Sequence, residues 1–137
     1  MWWIYALLSA LFASLTAIFA KIGVTNVNSN LATAIRTVVI LLVAWGIVLG
    51  RGETKGLATL SKQNLLFLVI SGIATGLSWI FYFKALQIGK VSQVAPVDKL
   101  SVALTIVLSV IFLGEALTLK TAIGALLIIA GTIVLIL

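Results

Sequence analysis

The sequence predicts an all-α membrane protein built from five transmembrane helices. Two observations carry that prediction. Of 137 residues, 63% are apolar and only 9% charged, with a mean hydropathy of +1.32. The apolar residues also fall in long runs bounded by short polar clusters. A water-soluble domain carries roughly a quarter charged residues, so a chain this poor in charge has no means of covering itself for water. A helix needs about 20 mostly apolar residues to cross about 30 Å of hydrocarbon. Five runs of that size lie at 2–20, 31–49, 65–83, 94–113 and 121–137.

The first run opens with Trp2, Trp3 and Tyr5, which suit an interfacial aromatic belt. It has no basic start and is as long as a span, so it is expected to be a helix of the mature protein and not a cleaved leader. Lys21 and the Asn-rich segment 26–30 separate it from the second run. The segment 51–64 precedes the third, and 84–93 the fourth. Pro96 is expected in the first turn of the fourth helix, where its missing N–H is harmless and no kink is required. Before the fifth run, Glu115 and Lys120 are expected to cap a short turn. Every connection is short, which leaves room for one transmembrane domain over 1–137 and none for a soluble one.

The chain has neither Cys nor His. Disulfides, thiolate chemistry, ligation of zinc or haem by these residues, and imidazole acid–base catalysis are therefore excluded. No nucleophile, acid–base pair or metal set is visible, so neither enzymatic activity nor a cofactor or metal is expected. The net charge of +6 comes from 9 basic and 3 acidic residues, too few for a nucleic-acid surface.

Five spans put the two termini on opposite faces, and the basic residues of short loops normally select the cytoplasmic one. Arg51, Lys55, Lys62 and Lys120 lie on the N-terminal side, and Lys21, Lys84 and Lys90 on the other. Four against three is almost no bias. Two readings follow: one weakly encoded orientation, or dual topology with copies inserted both ways and paired antiparallel. The second has a physical attraction, because many transporters consist of two inverted repeats around a midplane site. An odd-numbered half supplies both repeats only by inserting in both orientations.

Ser71, Thr75, Ser78 and Tyr82 recur at offsets of 4, 7 and 11, on one narrow helix face. Asp98, Ser101, Thr105 and Ser109 recur at 3, 7 and 11. Such stripes serve either as hydrogen-bonding glue between helices or as a cavity lining. In the second case Trp79 and Tyr82 give an aromatic wall suited to apolar or cationic solutes. Gly72 and Gly76 have GxxxG spacing, and Gly124 and Gly131 form a smooth seam, either a dimer contact or packing within one chain. Charges inside spans are costly and mark functional candidates. Arg36 and Asp98 are expected at a shared depth and so to form an ion pair. Lys99, about 100° around the helix from Asp98, is expected to face an aqueous cavity or to snorkel.

The stretches Phe81-Tyr82-Phe83-Lys84-Ala85-Leu86-Gln87-Ile88-Gly89, Val94-Ala95-Pro96-Val97-Asp98-Lys99-Leu100-Ser101, Phe112-Leu113-Gly114-Glu115-Ala116-Leu117-Thr118 and Gly124-Ala125-Leu126-Leu127-Ile128 carry a resemblance. Over nearly its whole length the chain resembles a single EamA-type repeat of the drug/metabolite transporter superfamily, specifically its five-helix bacterial and archaeal members. Arg36 falls where that family usually has an arginine. The resemblance implies a ten-helix alternating-access unit in a bacterial or archaeal inner membrane, here a homodimer, moving a small metabolite or drug-like solute. Solute contact would then fall to Trp79 and Tyr82. Lys99 would serve an anionic group or coupling, and Arg36 with Asp98 would be a structural or gating pair. The last three spans are also similar to small multidrug resistance proteins. Ser14 stands where those have their proton-coupling glutamate, which leaves Asp98 as the acid available for coupling. A passive channel, or a non-transporting subunit of a heteromeric assembly, are the alternatives.

Overall fold

The computed structural model describes residues 1–137 and contains helices and turns but no strand. Its elements are α1 (Trp2–Gly23), α2 (Ser29–Gly50), a 3₁₀ helix (Glu53–Thr59), α3 (Lys62–Ile88), α4 (Val91–Asp98), α5 (Leu100–Leu113) and α6 (Leu119–Ile136). Five helical stretches are long and apolar enough to cross a membrane, with α4 and α5 together making the fourth, Val91–Leu113. The protein is an all-α membrane protein. Leu66, Phe67, Leu68, Val69 and Ile70 on α3 are each more than half exposed, at 56, 61, 60, 51 and 52%. Successive helical residues point about 100° apart, so that stretch of α3 is apolar all round, as a helix surrounded by hydrocarbon must be.

Local chemistry explains the helix ends. Asn26 takes the left-handed conformation (φ 61°) that Asn tolerates better than most residues. Asn28 then caps α2, its side-chain oxygen accepting from the N–H groups of Asn30 (2.9 Å) and Leu31 (3.3 Å). Ser61 does the same for α3 through the N–H of Asn64 at 3.0 Å. The α5–α6 turn is held by Gly114 (φ 68°) and by Thr118, whose hydroxyl accepts from the N–H of Thr121 at 3.2 Å. Glu115 enters that turn through its backbone, donating to Ser109 O at 3.3 Å, in place of the expected cap with Lys120.

The chain divides into two compact units, residues 19–87 and residues 1–18 with 88–137. In the first, the buried side chains are Ala20, Val24, Ser29, Thr33, Phe83 and Leu86. Hydrogen bonds tie the helix ends together there. Lys21 Nζ donates to Leu86 O, and Gln87 Nε2 donates to Val27 O (2.7 Å) and Val24 O (3.4 Å). In the second unit, α6 packs along α4 and α5.

The fourth span departs from expectation. It begins at Val91, so Pro96 is its sixth residue and lies beyond the first turn. There its missing N–H leaves the bond to Ser92 O unmade. The α-helix ends at Asp98 and restarts at Leu100, with Lys99 as the joint (φ −71°, ψ −9°). Bonds of three-residue span, Lys99 N–H to Pro96 O and Val102 N–H to Lys99 O, both 3.0 Å, replace the regular ladder.

Candidate functional site

Two intramembrane charge clusters stand out, one in each unit. In residues 19–87, the guanidinium carbon of Arg36 lies 4.6 Å from the Trp79 ring centroid and 4.9 Å from that of Phe83. These rings sit four residues apart on α3, so one turn of helix places both against the same cation. Tyr82 adds an edge-to-face contact with Phe83 at 6.4 Å. Arg36 is seven residues beyond Ser29, about 10 Å along α2 at about 1.5 Å per residue. Its charge is held at that depth by the faces of two rings, each worth about 0.5–2 kcal/mol.

In the other unit, Lys99 Nζ bonds Asp98 Oδ2 at 3.1 Å. The two are neighbours on the helix, and the long lysine stem lets the ammonium reach back to the carboxylate. Lys99, expected to face an aqueous cavity or to snorkel, has Asp98 as its partner. Within its own unit each charge has a neighbour: Lys99 for Asp98, two rings for Arg36. The Asp98–Lys99 pair lies eight residues into the span, about 12 Å along it, deeper than the position of Val94 suggested. Thr132 of α6, 4% exposed, donates both to Ile128 O (2.8 Å) and across to Pro96 O (3.2 Å). That bond adds a second donor to Pro96 O, which already accepts from the Lys99 N–H, and ties α6 to α4.

Three hydroxyls of the stripes bond within their own helices. Thr75 donates to Ser71 O (2.9 Å), Thr105 to Ser101 O (2.8 Å) and Ser109 to Ile106 O (3.0 Å). The protons of these three are committed to the backbone. Ser71, Thr75, Ser78, Ser101 and Thr105 are exposed, and Trp79 and Tyr82 half-buried. A Cβ added at Gly72, Gly76, Gly124 or Gly131 would meet nothing within 4 Å, so no seam of this chain depends on those glycines. Ser14 on α1 donates to Leu11 O at 2.7 Å. Sequence reasoning missed Phe83, Gln87 and Thr132; the one legible signal was the i, i+4 spacing of Trp79 and Phe83.

The model of the EamA-like transporter family matches residues 1–137. The chain belongs to that family. It is 48% identical over 134 residues to an "uncharacterized transporter in cobO 3'region" of a Sinorhizobium species, covering 98% of this chain and 95% of that one. It is 33% identical over 132 residues to an uncharacterized protein of Methanocaldococcus jannaschii, covering 96% of this chain and 93% of the other. No solved structure matches. A multi-pass membrane transporter of the drug/metabolite type is the function that this membership and the five apolar helices support.

Proposed function

We propose that this EamA-family chain is one half of a ten-helix secondary transporter, working by alternating access as an antiparallel, dual-topology homodimer in a prokaryotic inner membrane. The carrying observation is the interrupted fourth span, with the Asp98–Lys99 pair in its break. Broken helices with charged or polar groups near mid-membrane are how many secondary transporters expose backbone and side chains to a solute. An ion pair there neutralises itself in the empty state, and a solute or proton that takes one partner releases the other. Lys99 and Asp98 are thus the residues for solute or coupling-ion exchange. Ser71, Thr75, Ser78, Ser101 and Thr105 are hydrogen-bond acceptors for a small solute, with Trp79 and Tyr82 as aromatic contacts. Gly124 and Gly131, uncovered within the chain, suit the dimer seam.

Support for the dimer comes from size and charge. Two relatives match along more than nine-tenths of their own lengths, so the five-helix unit recurs without a second repeat. The basic loop residues divide four to three, which leaves both orientations open. The test is flux in proteoliposomes with a radiolabelled panel of amino acids, amines and organic acids. Saturable flux that falls at least tenfold in Lys99→Ala and Asp98→Asn is expected. Full activity in both variants would sink the assignment, and flux that never saturates would mark a pore. A terminal Cys added to this Cys-free chain should label from both sides in intact cells; labelling from one side only rules out dual topology.

A further inference from the structure

The aromatic wall expected to receive apolar or cationic solutes is already occupied by a cation of the protein's own. Arg36 holds its guanidinium carbon over Trp79 at 4.6 Å and over Phe83 at 4.9 Å, so a cationic solute approaching these rings meets like charge. The rings answer the charge but not the hydrogen bonding. A guanidinium carries five N–H donors in its plane, and an aromatic face offers them no lone pair. Within residues 19–87 no carboxylate pairs with Arg36: Glu53, the one acid of that unit, pairs with Arg51 at 2.8 Å. Lys99 is paired with its neighbour, so among Arg36, Asp98 and Lys99, the charges far from the span ends, Arg36 is the one without an ionic partner in its own unit.

Snorkelling does not remove that charge from the membrane. A helical side chain leans toward the N-terminus of its helix, which for Arg36 is the nearer end of α2. Yet the guanidinium stays level with Trp79 and Phe83, nine and five residues short of the end of α3 at Ile88. Beyond it that end is shut. Val24, Phe83 and Leu86 are 1, 2 and 0% exposed, and Lys21 and Gln87 bind the backbone of Leu86, Val24 and Val27 across them. A donor edge kept at depth, flanked by rings and closed on its loop side, is complementary to an anion with an apolar body.

We propose that Arg36, with Trp79, Tyr82 and Phe83, is a binding site for a small organic carboxylate, the planar oxyanion that a guanidinium fork engages through two parallel hydrogen bonds. The proposal rests on the transporter reading only in treating that carboxylate as cargo; the site itself stands apart from it. The same donors match a lipid phosphate, and the experiment separates the two sources. Full-length protein is purified in dodecyl maltoside with Trp2, Trp3 and Trp45 changed to Phe, so that Trp79 alone reports by fluorescence. The probes are benzoate, benzamide and benzylamine, an anion, a neutral amide and a cation on one ring.

Benzoate should give a saturable Trp79 response that weakens at least tenfold in Arg36→Gln and severalfold in Arg36→Lys, which keeps the charge but loses the fork. Arg51→Gln, outside the site, should bind as the parent does. Equal responses to the three probes, or benzoate binding unchanged in Arg36→Gln, would overturn the site. If Arg36→Gln fails to remain helical and monodisperse, the Lys variant carries the comparison. Displacement of benzoate by a few equivalents of phosphatidylglycerol would reassign the pocket to a headgroup and overturn the solute claim. Flux measured in parallel keeps the two hypotheses distinct. Arg36-dependent benzoate binding without flux of any solute refutes transport alone; saturable flux without benzoate binding refutes the carboxylate site alone.

Discussion

Arg36 and the Asp98–Lys99 pair meet the same difficulty, a charge inside hydrocarbon, in opposite ways. At Asp98–Lys99 the counter-charge is the next residue, 3.1 Å away, and the α-helical ladder is interrupted at the same point. At Arg36 the helix is unbroken and the stabilising partners are neutral ring faces on another helix. The first solution is locally neutral and costs helix hydrogen bonds. The second keeps the helix intact and leaves a net positive charge with unused donors. The pair is therefore suited to exchange and the arginine to capture.

Substitutions should separate the two solutions, and Phe83→Ala is expected to do most damage. Phe83 is 2% exposed and supports both the closed end and the guanidinium, so its truncation should cost about 3 kcal/mol or more, read as a lowered unfolding midpoint in detergent. Next comes Asp98→Asn, which strands Lys99 in the span. A lone lysine at a helix centre costs about 2.5–3.5 kcal/mol on insertion scales, so a loss of up to about 3 kcal/mol is expected. Adding Lys99→Gln should restore most of it; a double variant no better than the single would show that the pair is not coupled.

Smaller effects follow at the supports. Trp79→Leu retains apolar bulk but removes the ring face, for an expected loss of about 1–2 kcal/mol, while Trp79→Phe should lose less. Asn28→Ala removes the α2 cap and should cost about 1 kcal/mol, seen as faster amide exchange at Asn30 and Leu31. Thr132→Val keeps shape and removes the bond to Pro96 O. Interhelical hydrogen bonds in membranes average about 0.6 kcal/mol, and the loss here should be of that order. A much larger loss would mean that the break depends on α6.

The spans were legible because hydropathy is a sum over local residues, and a stretch of about 20 needs no partner to declare itself. All five were found, each with at least one end moved outward by a few residues: the third, expected over 65–83, runs Lys62–Ile88. That extension arises because polar residues at the interface continue the helix beyond its hydrocarbon core. The same error explains Pro96. A helix expected from Val94 puts it in a harmless turn, and one that starts at Val91 puts it where it breaks the ladder. The polar stripes were legible as spacing, but their hydrogen bonds to their own backbone were not, since spacing does not say whether a hydroxyl turns inward or outward.

By itself, then, the sequence determined a five-span all-α membrane chain with three charges inside its spans and nearly symmetric loop charge. Hydrophobicity and net charge are additive along a chain and require no geometry. Tertiary structure alone decided which partner each charge takes. Arg36 lies on rings more than 40 residues away in sequence, and Lys99 bends back to its neighbour Asp98. Such partners depend on distances of a few ångströms between elements, and a shift of one residue along a helix turns a side chain by about 100°.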